Sequence, residues 1–135
     1  MTVRHEEITV ETKKREETID ITSRVKAAVT RSKISDGLVA VNVAHTTAAV
    51  FVNENADPDV QKDLLNALER AVPREGKYAH AEGNGPAHIK SVIIGSSVSL
   101  PVRDGQIALG TWQGIYFAEL DGPRERSATI TVIGE

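Results

Sequence analysis

Cysteine is absent from the 135 residues, which excludes disulfides, thiolate metal sites and cysteine nucleophiles and fits a reducing compartment. Aromatic residues make up only 4%, so a ring placed at a turn stands out. No stretch approaches the ~20 apolar residues needed to span a bilayer. The first 14 residues carry Arg4, Glu6, Glu7, Glu11, Lys13 and Lys14 without an apolar run, unlike a signal peptide. A strong positive charge is missing too. Sixteen Lys and Arg against 19 Asp and Glu leave a net charge of −3, which argues against a dedicated nucleic-acid face. The expectation is a cytoplasmic protein with neither nucleic acid nor membrane as partner.

What remains is ordinary globular composition, 40% hydrophobic and 26% charged, in a length that suits one domain over residues 1–135. Alternation predicts strands near 4–11 and 15–21. Ile21, Val25, Ala28 and Val29 then predict a helix capped by Thr22 or Ser23 and stopped at Asp36-Gly37. Strands follow at 38–43 and 48–52. Asp57, Pro58 and Asp59 predict a well-started helix, with Val60, Leu64, Leu65, Leu68 and Val72 as its apolar stripe and Pro73 as its end. Residues 74–85 read as a polar loop and 86–94 as a short helix. Strands at 96–102, 106–110, 113–120 and 126–133 complete the chain, separated by Asp104-Gly105 and Asp121-Gly122-Pro123-Arg124. Neighbouring strands outnumber helices, so the predicted class is α+β: a largely antiparallel, sandwich-like sheet with two main helices and one short one.

Three histidines sit at element ends. His45 follows a strand, His80 lies in the polar loop, and His88 lies in the first turn of the short helix. Three neutral imidazoles with an open position suit a zinc-like metal or direct acid–base work. Their spacing matches no short metal motif, and hydrogen-bonded loop histidines are the plain alternative. His5, in an edge-like strand, carries no such signal. Gly83-Asn84-Gly85-Pro86 opens a helix whose Ala87 and His88 N–H groups would be free for an anion, with Lys90 one turn on; an ordinary glycine loop is the other reading. Glu54 is either a general base or metal ligand, or a solvated loop acid. Trp112, beside Gln113 and between Gly110 and Gly114, either stacks on a flat ligand or anchors the core. Arg124 offers a guanidinium to an oxyanion or to solvent.

Taken in order, His45-Thr46-Thr47-Ala48-Ala49, Asn53-Glu54-Asn55-Ala56-Asp57-Pro58-Asp59-Val60, His80-Ala81-Glu82-Gly83-Asn84, Ala87-His88-Ile89-Lys90, Leu109-Gly110-Thr111-Trp112-Gln113-Gly114-Ile115 and Asp121-Gly122-Pro123-Arg124 resemble the YjbQ family. The likeness runs from about residue 4 to Glu135. It implies an α+β sandwich that associates as a homotrimer, and a weak secondary thiamine-phosphate synthase activity joining an aminopyrimidine diphosphate to a thiazole phosphate. In that chemistry Lys90, Arg124 and the helix start would seat the leaving diphosphate, with Gly83 and Asn84 beside it, while Trp112 and Gln113 would face the pyrimidine. Magnesium would need carboxylates such as Glu54 or Glu82, whereas His45, His80 and His88 suit a zinc-like ion. Two further readings stand beside it: a metal-dependent hydrolase, and a non-catalytic trimer that binds a metabolite.

Overall fold

Ten residues of the first strand, β1 (Thr2–Glu11), pair antiparallel with ten of the last, β8 (Glu125–Gly134), from Thr2↔Gly134 to Glu11↔Glu125. The computed structural model describes all residues, Met1–Glu135. Between those strands lie β2 (Glu17–Asp20), α1 (Thr22–Ser32), β3 (Gly37–Asn42), β4 (Ala48–Glu54), α2 (Pro58–Ala71), α3 (Gly85–Ile94), β5 (Ser97–Arg103), β6 (Gln106–Ile107) and β7 (Gln113–Glu119). One sheet has the order β1-β8-β3-β5-β6 and the other β2-β7-β4, and every pairing is antiparallel. The α+β, antiparallel expectation is the observed class.

The core joins the two sheets. Ile8, Val10, Val39, Val41, Val102, Ala128, Ile130 and Val132 of the larger sheet meet Ala48, Val50, Ile115 and Phe117 of the smaller, and α1 adds Val25, Ala28 and Val29. Period-2 burial is clean along β8, where Arg126, Ala128, Ile130, Val132 and Gly134 are buried and the residues between them half-buried. β7 is buried from Gly114 to Glu119 on both faces. Such a strand holds position because moving it would expose aromatic and aliphatic surface, at roughly 25 cal/mol per Å².

Local chemistry corrects several expected boundaries. α1 has Ile21 at its N-cap without a side-chain cap; Thr22 instead accepts the Ile115 N–H at 2.8 Å. The helix ends at Lys33, which adopts the left-handed conformation (φ 59°), rather than at Asp36-Gly37. Gly37 serves strand contact, since a Cβ there would meet the Ile133 carbonyl oxygen at 1.9 Å. α2 starts as its sequence reads: the Asp57 side chain accepts the Asp59 N–H at 2.9 Å and Pro58 is its first residue. α3 begins at Gly85 and runs ten residues, nearly as long as α1. Strands expected at 15–21 and 106–110 shrink to Glu17–Asp20 and Gln106–Ile107.

One buried ion pair fastens the end of this sandwich. Glu119 (0% exposed) and Arg126 (4%) face each other across the β7–β8 turn, with Arg126 Nε donating to Glu119 Oε1 at 2.9 Å and Nη2 to Oε2 at 2.6 Å. Thr12 Oγ1 also donates to Glu119, at 2.7 Å, as do the N–H groups of Leu120 and Asp121 at 3.0 Å each. Burial alone would raise the Glu119 pKa, but Arg126, the Asp121 N–H and Thr12 outweigh it and hold the carboxyl below its usual range. A depressed carboxyl pKa stabilises the fold above the unfolded value, and that stability fades as pH falls through the native one. Arg126→Met should lower the unfolding free energy by about 3–5 kcal/mol, because it strands a buried carboxylate. Urea titration of Arg126→Met, Glu119→Gln and the double variant checks this, with the double variant less destabilised than the sum of the singles.

Candidate functional site

The same arginine positions a histidine. Arg126 Nη2 donates to the Thr47 carbonyl at 3.1 Å and to Thr47 Oγ1 at 2.9 Å, which fixes the loop from β3 to β4. Two residues earlier, His45 Nε2 lies 3.1 Å from the Ser127 backbone nitrogen. A backbone N–H only donates, so Nε2 must present its lone pair, and the neutral ring carries its proton on Nδ1. Burial first, and then the positive charge of Arg126, hold the His45 pKa below its ordinary value. Near neutral pH His45 is therefore an uncharged ring with a defined tautomer, whose Nδ1–H is a hydrogen-bond donor.

His45, Thr46 and Ala48 form one wall of a cavity of about 470 Å³, and His88, Ser91 and Val92 of α3 form the other, with Gly95 and Ser96 at its end. His80 reaches this region through His88. The two rings meet edge to face with centroids 4.9 Å apart, and His80 Nε2 lies 3.7 Å from Glu82 Oε2. The structure thus brings His45 to His88 in one cavity, and His80 to His88 by direct contact. Ser91 carried no signal in the sequence reading, yet its residue is 7% exposed and its hydroxyl has no hydrogen-bond partner. A buried hydroxyl without a partner costs about 1–3 kcal/mol, which a ligand in the cavity would relieve. Its spacing of three residues after His88, one helical turn, was the available clue.

The anion seat expected at Gly83–Lys90 is built differently. The Ala87 and His88 N–H groups both turn back to the Asn84 carbonyl, at 3.1 and 3.4 Å. Lys90 is 1% exposed and its Nζ donates to Glu16 and Glu69 at 2.8 Å each, so its charge is neutralised inside the fold. Burial lowers its pKa, but the two carboxylates outweigh that and raise it. Gly85 is small because of Tyr78, whose side chain a Cβ would meet at 3.0 Å. Gly83, Asn84 and Arg124 line a separate, wholly polar cavity of about 670 Å³, together with Arg15, Arg74, Glu75, Glu82 and Asp121.

Glu54, Trp112 and Gln113 do not join these groups. In the register of β4 and β7, Ala48 sits opposite Glu119 and Glu54 opposite Gln113. The histidine loop and the tryptophan turn therefore occupy opposite ends of β4, about 20 Å apart at the usual strand rise. Glu54 caps α2 by accepting the Asp57 N–H at 2.9 Å, and Gln113 accepts the Gly110 N–H at 2.8 Å. Trp112 is 64% exposed, so it is no core anchor.

A metal fits these residues poorly within one chain. No three His, Asp or Glu side chains gather as a metal site. The His45 Nε2 lone pair is taken up by Ser127, and Glu54 and Glu82 lie on different segments far from one another in the fold. No helix is long and apolar enough to cross a membrane.

Two facing antiparallel sheets, with a histidine cavity between α3 and the β3–β4 loop, define a small α+β domain built around a polar pocket. The chain belongs to the YjbQ family: the model for UPF0047 protein YjbQ-like matches residues 6–135. It is 47% identical to a UPF0047 protein of Methanocaldococcus jannaschii over 93% of this chain and 91% of that one. It is 46% identical to the UPF0047 protein YugU of Bacillus subtilis over 93% and 96%. Among solved structures, an uncharacterized protein of this family from Clostridium acetobutylicum superposes with a TM-score of 0.93 at 48% identity, covering 94% of this chain and 98% of that one. A protein of unknown function from Sulfolobus solfataricus superposes at 0.96 with 35% identity, covering 99% of each.

The Lys90 tether yields a direct expectation. Lys90→Met should lower stability by about 1.5–3 kcal/mol, the range for hydrogen bonds to a charged group, while leaving phosphate affinity unchanged. Urea titration and calorimetry on the same variant separate the two effects; a loss of phosphate binding in a stably folded Lys90→Met protein would return Lys90 to the anion site.

Proposed function

We propose that this protein is a small-molecule enzyme in which His45 and His88 handle hydrogen bonds and protons on a phosphorylated or heterocyclic substrate, with weak thiamine-phosphate synthase activity as one expression. The observation that carries this reading is the locked state of His45: neutral, its Nε2 held by the Ser127 N–H, and its cavity shared with His88 and the unpaired Ser91 hydroxyl. A loop histidine with a merely structural role needs no second histidine beside an empty-handed hydroxyl.

The chemistry suits donors. When a thiazole nitrogen attacks the methylene carbon of an aminopyrimidine diphosphate, the new C–N bond takes the nitrogen lone pair and the C–O bond breaks toward diphosphate. No proton leaves the nucleophile, so the enzyme's task is to stabilise charge growing on the departing oxygen. The Nδ1–H of His45 is a preset donor for that oxygen, and His88, in contact with His80, supplies the second imidazole of the cavity. No step here runs through a metal ion.

The test is formation of thiamine phosphate from the two substrates by wild type, His45→Gln, His88→Gln and His80→Gln. The first two should lose about 10²-fold or more in kcat/KM, the usual scale for general acid–base groups, and His80→Gln less. Activity that needs neutral His45 should persist below pH 6.5, because its pKa is depressed from that value. An NMR titration of the His45 ring checks the same point. Unchanged rates in both His45→Gln and His88→Gln would sink the reading.

Self-association belongs to the proposal. Ile89, Val92 and Ile93 of α3 are exposed beside the histidine cavity, Val92 at 83%, and an apolar helix face of this kind is covered in a homotrimer. Light scattering should give a trimer's mass for the wild type and a smaller one for Val92→Arg; a monomeric wild type at micromolar concentration would contradict it.

A further inference from the structure

The largest polar cavity of the molecule is not the histidine cavity. Arg15, from the turn between β1 and β2, Arg74, just after α2, and Arg124, from the β7–β8 turn, converge on it with Asn84. Arg124 is held in place by its own turn: Nε donates to the Asp121 carbonyl at 2.9 Å and Nη2 to Asp121 Oδ2 at 3.1 Å. The ion pairs of the chain use neither Arg15 nor Arg74, so both guanidiniums keep their donors for something else. Asn84 donates from Nδ2 to Asp121 Oδ2 at 2.9 Å, and its Oδ1 is buried with no partner.

We propose that this cavity is a phosphoryl seat in which Arg15, Arg74 and Arg124 grip the phosphate or diphosphate end of a small molecule whose other end reaches His45, His88 and Ser91. The proposal rests on the enzymatic reading above and names the class of its substrate. Guanidinium forks match phosphoryl oxygens in a way that a lone ammonium does not. The Asn84 Oδ1 takes a donor, such as a ligand hydroxyl or the P–OH of a singly protonated phosphate. Glu75, Glu82 and Asp121 line the same cavity, so its formal charge sums to zero. Anions are therefore selected at contact, by the fit of guanidinium forks to phosphoryl oxygens, rather than drawn in from a distance.

Two walls connect this cavity to the histidines. Asn84, the N-cap of α3, and His88 and Ser91 within the helix stand at i, i+4 and i+7, along one face, and the rise from the first to the last is about 10 Å. The two unpartnered buried atoms on this stretch, Asn84 Oδ1 and Ser91 Oγ, mark its two ends. On the other wall, Asp121 and Arg124 line the arginine cavity, Arg126 holds Thr47, and the Ser127 N–H holds His45. A phosphorylated heterocycle is of that length; inorganic phosphate fills only the arginine end.

Calorimetric titration of the full chain with phosphate, pyrophosphate and sulfate tests the seat. Pyrophosphate should bind, with backbone amide shifts at Gly83, Asn84 and Asp121 in NMR spectra. Arg15→Ala and Arg74→Ala should each weaken it about tenfold and the double variant about a hundredfold, one charge-assisted contact per residue. Arg74→Lys should recover only part of the loss. No binding by wild type, wild-type affinity in the double variant, or amide shifts confined to another surface would each overturn the proposal. The enzymatic reading fails separately. His45→Gln should lose far more turnover than pyrophosphate affinity, which the arginines carry, so histidine variants that leave turnover intact with the anion still bound would refute the catalytic role and leave the seat standing.

Discussion

Two opposite charges sealed at the end of the sandwich organise everything that follows. Neither Glu119 nor Arg126 has water to fall back on, so each must be satisfied by protein groups, and the geometry that satisfies them is narrow. Glu119 recruits Thr12 from the end of β1 and two N–H groups of its own turn, while Arg126 spends its remaining reach on Thr47. Three segments, the end of β1, the β3–β4 loop and the β7–β8 turn, are pinned to one pair. The loop carrying His45 is one of them, and the Ser127 N–H that fixes the tautomer of His45 is the next residue along β8. The histidine is placed by the ion pair, and its pKa is lowered partly by the same arginine.

α3 is oriented by the opposite device. Its inner face carries an ammonium, Lys90, anchored between Glu16 and Glu69, and its buried start packs Gly85 against Tyr78. With Lys90 turned inward, the directions of the remaining helix positions follow from the helical repeat of about 3.6 residues per turn. Asn84 lines the arginine cavity and His88 and Ser91 the histidine cavity, while Ile89 and Ile93 are exposed and Val92 stands at the rim of the histidine cavity. A charge that reads as an anion binder in the sequence is a tether inside the fold.

Much of the fold was legible because it follows from local rules. Alternation marked β1, β2 and β3, turn residues separated the last strands, and Asp57-Pro58 marked the start of α2. Boundaries failed where long-range contacts outvoted local ones: Thr22 leaves its capping role to bond Asp20 and Ile115, and Lys33 rather than Gly37 takes the left-handed turn. The site was legible in part. His45, His80 and His88 were conspicuous as rare polar residues at element ends. Arg126, Ser91, Arg15 and Arg74 were not, because their significance lies in burial and in missing partners, neither of which has a sequence signature. Lys90 was misread for the same reason, since its carboxylate partners lie 74 and 21 residues away.

Order along the chain also misled about proximity. The Trp112 turn stands among the most distinctive segments, yet β4 places it at the far end of the smaller sheet from His45. A ligand lying along α3 from Asn84 to Ser91 covers about 10 Å, half of the roughly 20 Å between the two ends of that strand. No single small molecule in the histidine cavity touches Trp112 of the same chain. The aromatic wall for a flat substrate must come from elsewhere. Within one chain the histidine cavity has only the rings of His45 and His88, with Val92 as its large aliphatic side chain. Stacking there is accordingly modest, and the polar contacts at Asn84, His45 and Ser91 have to supply the selectivity.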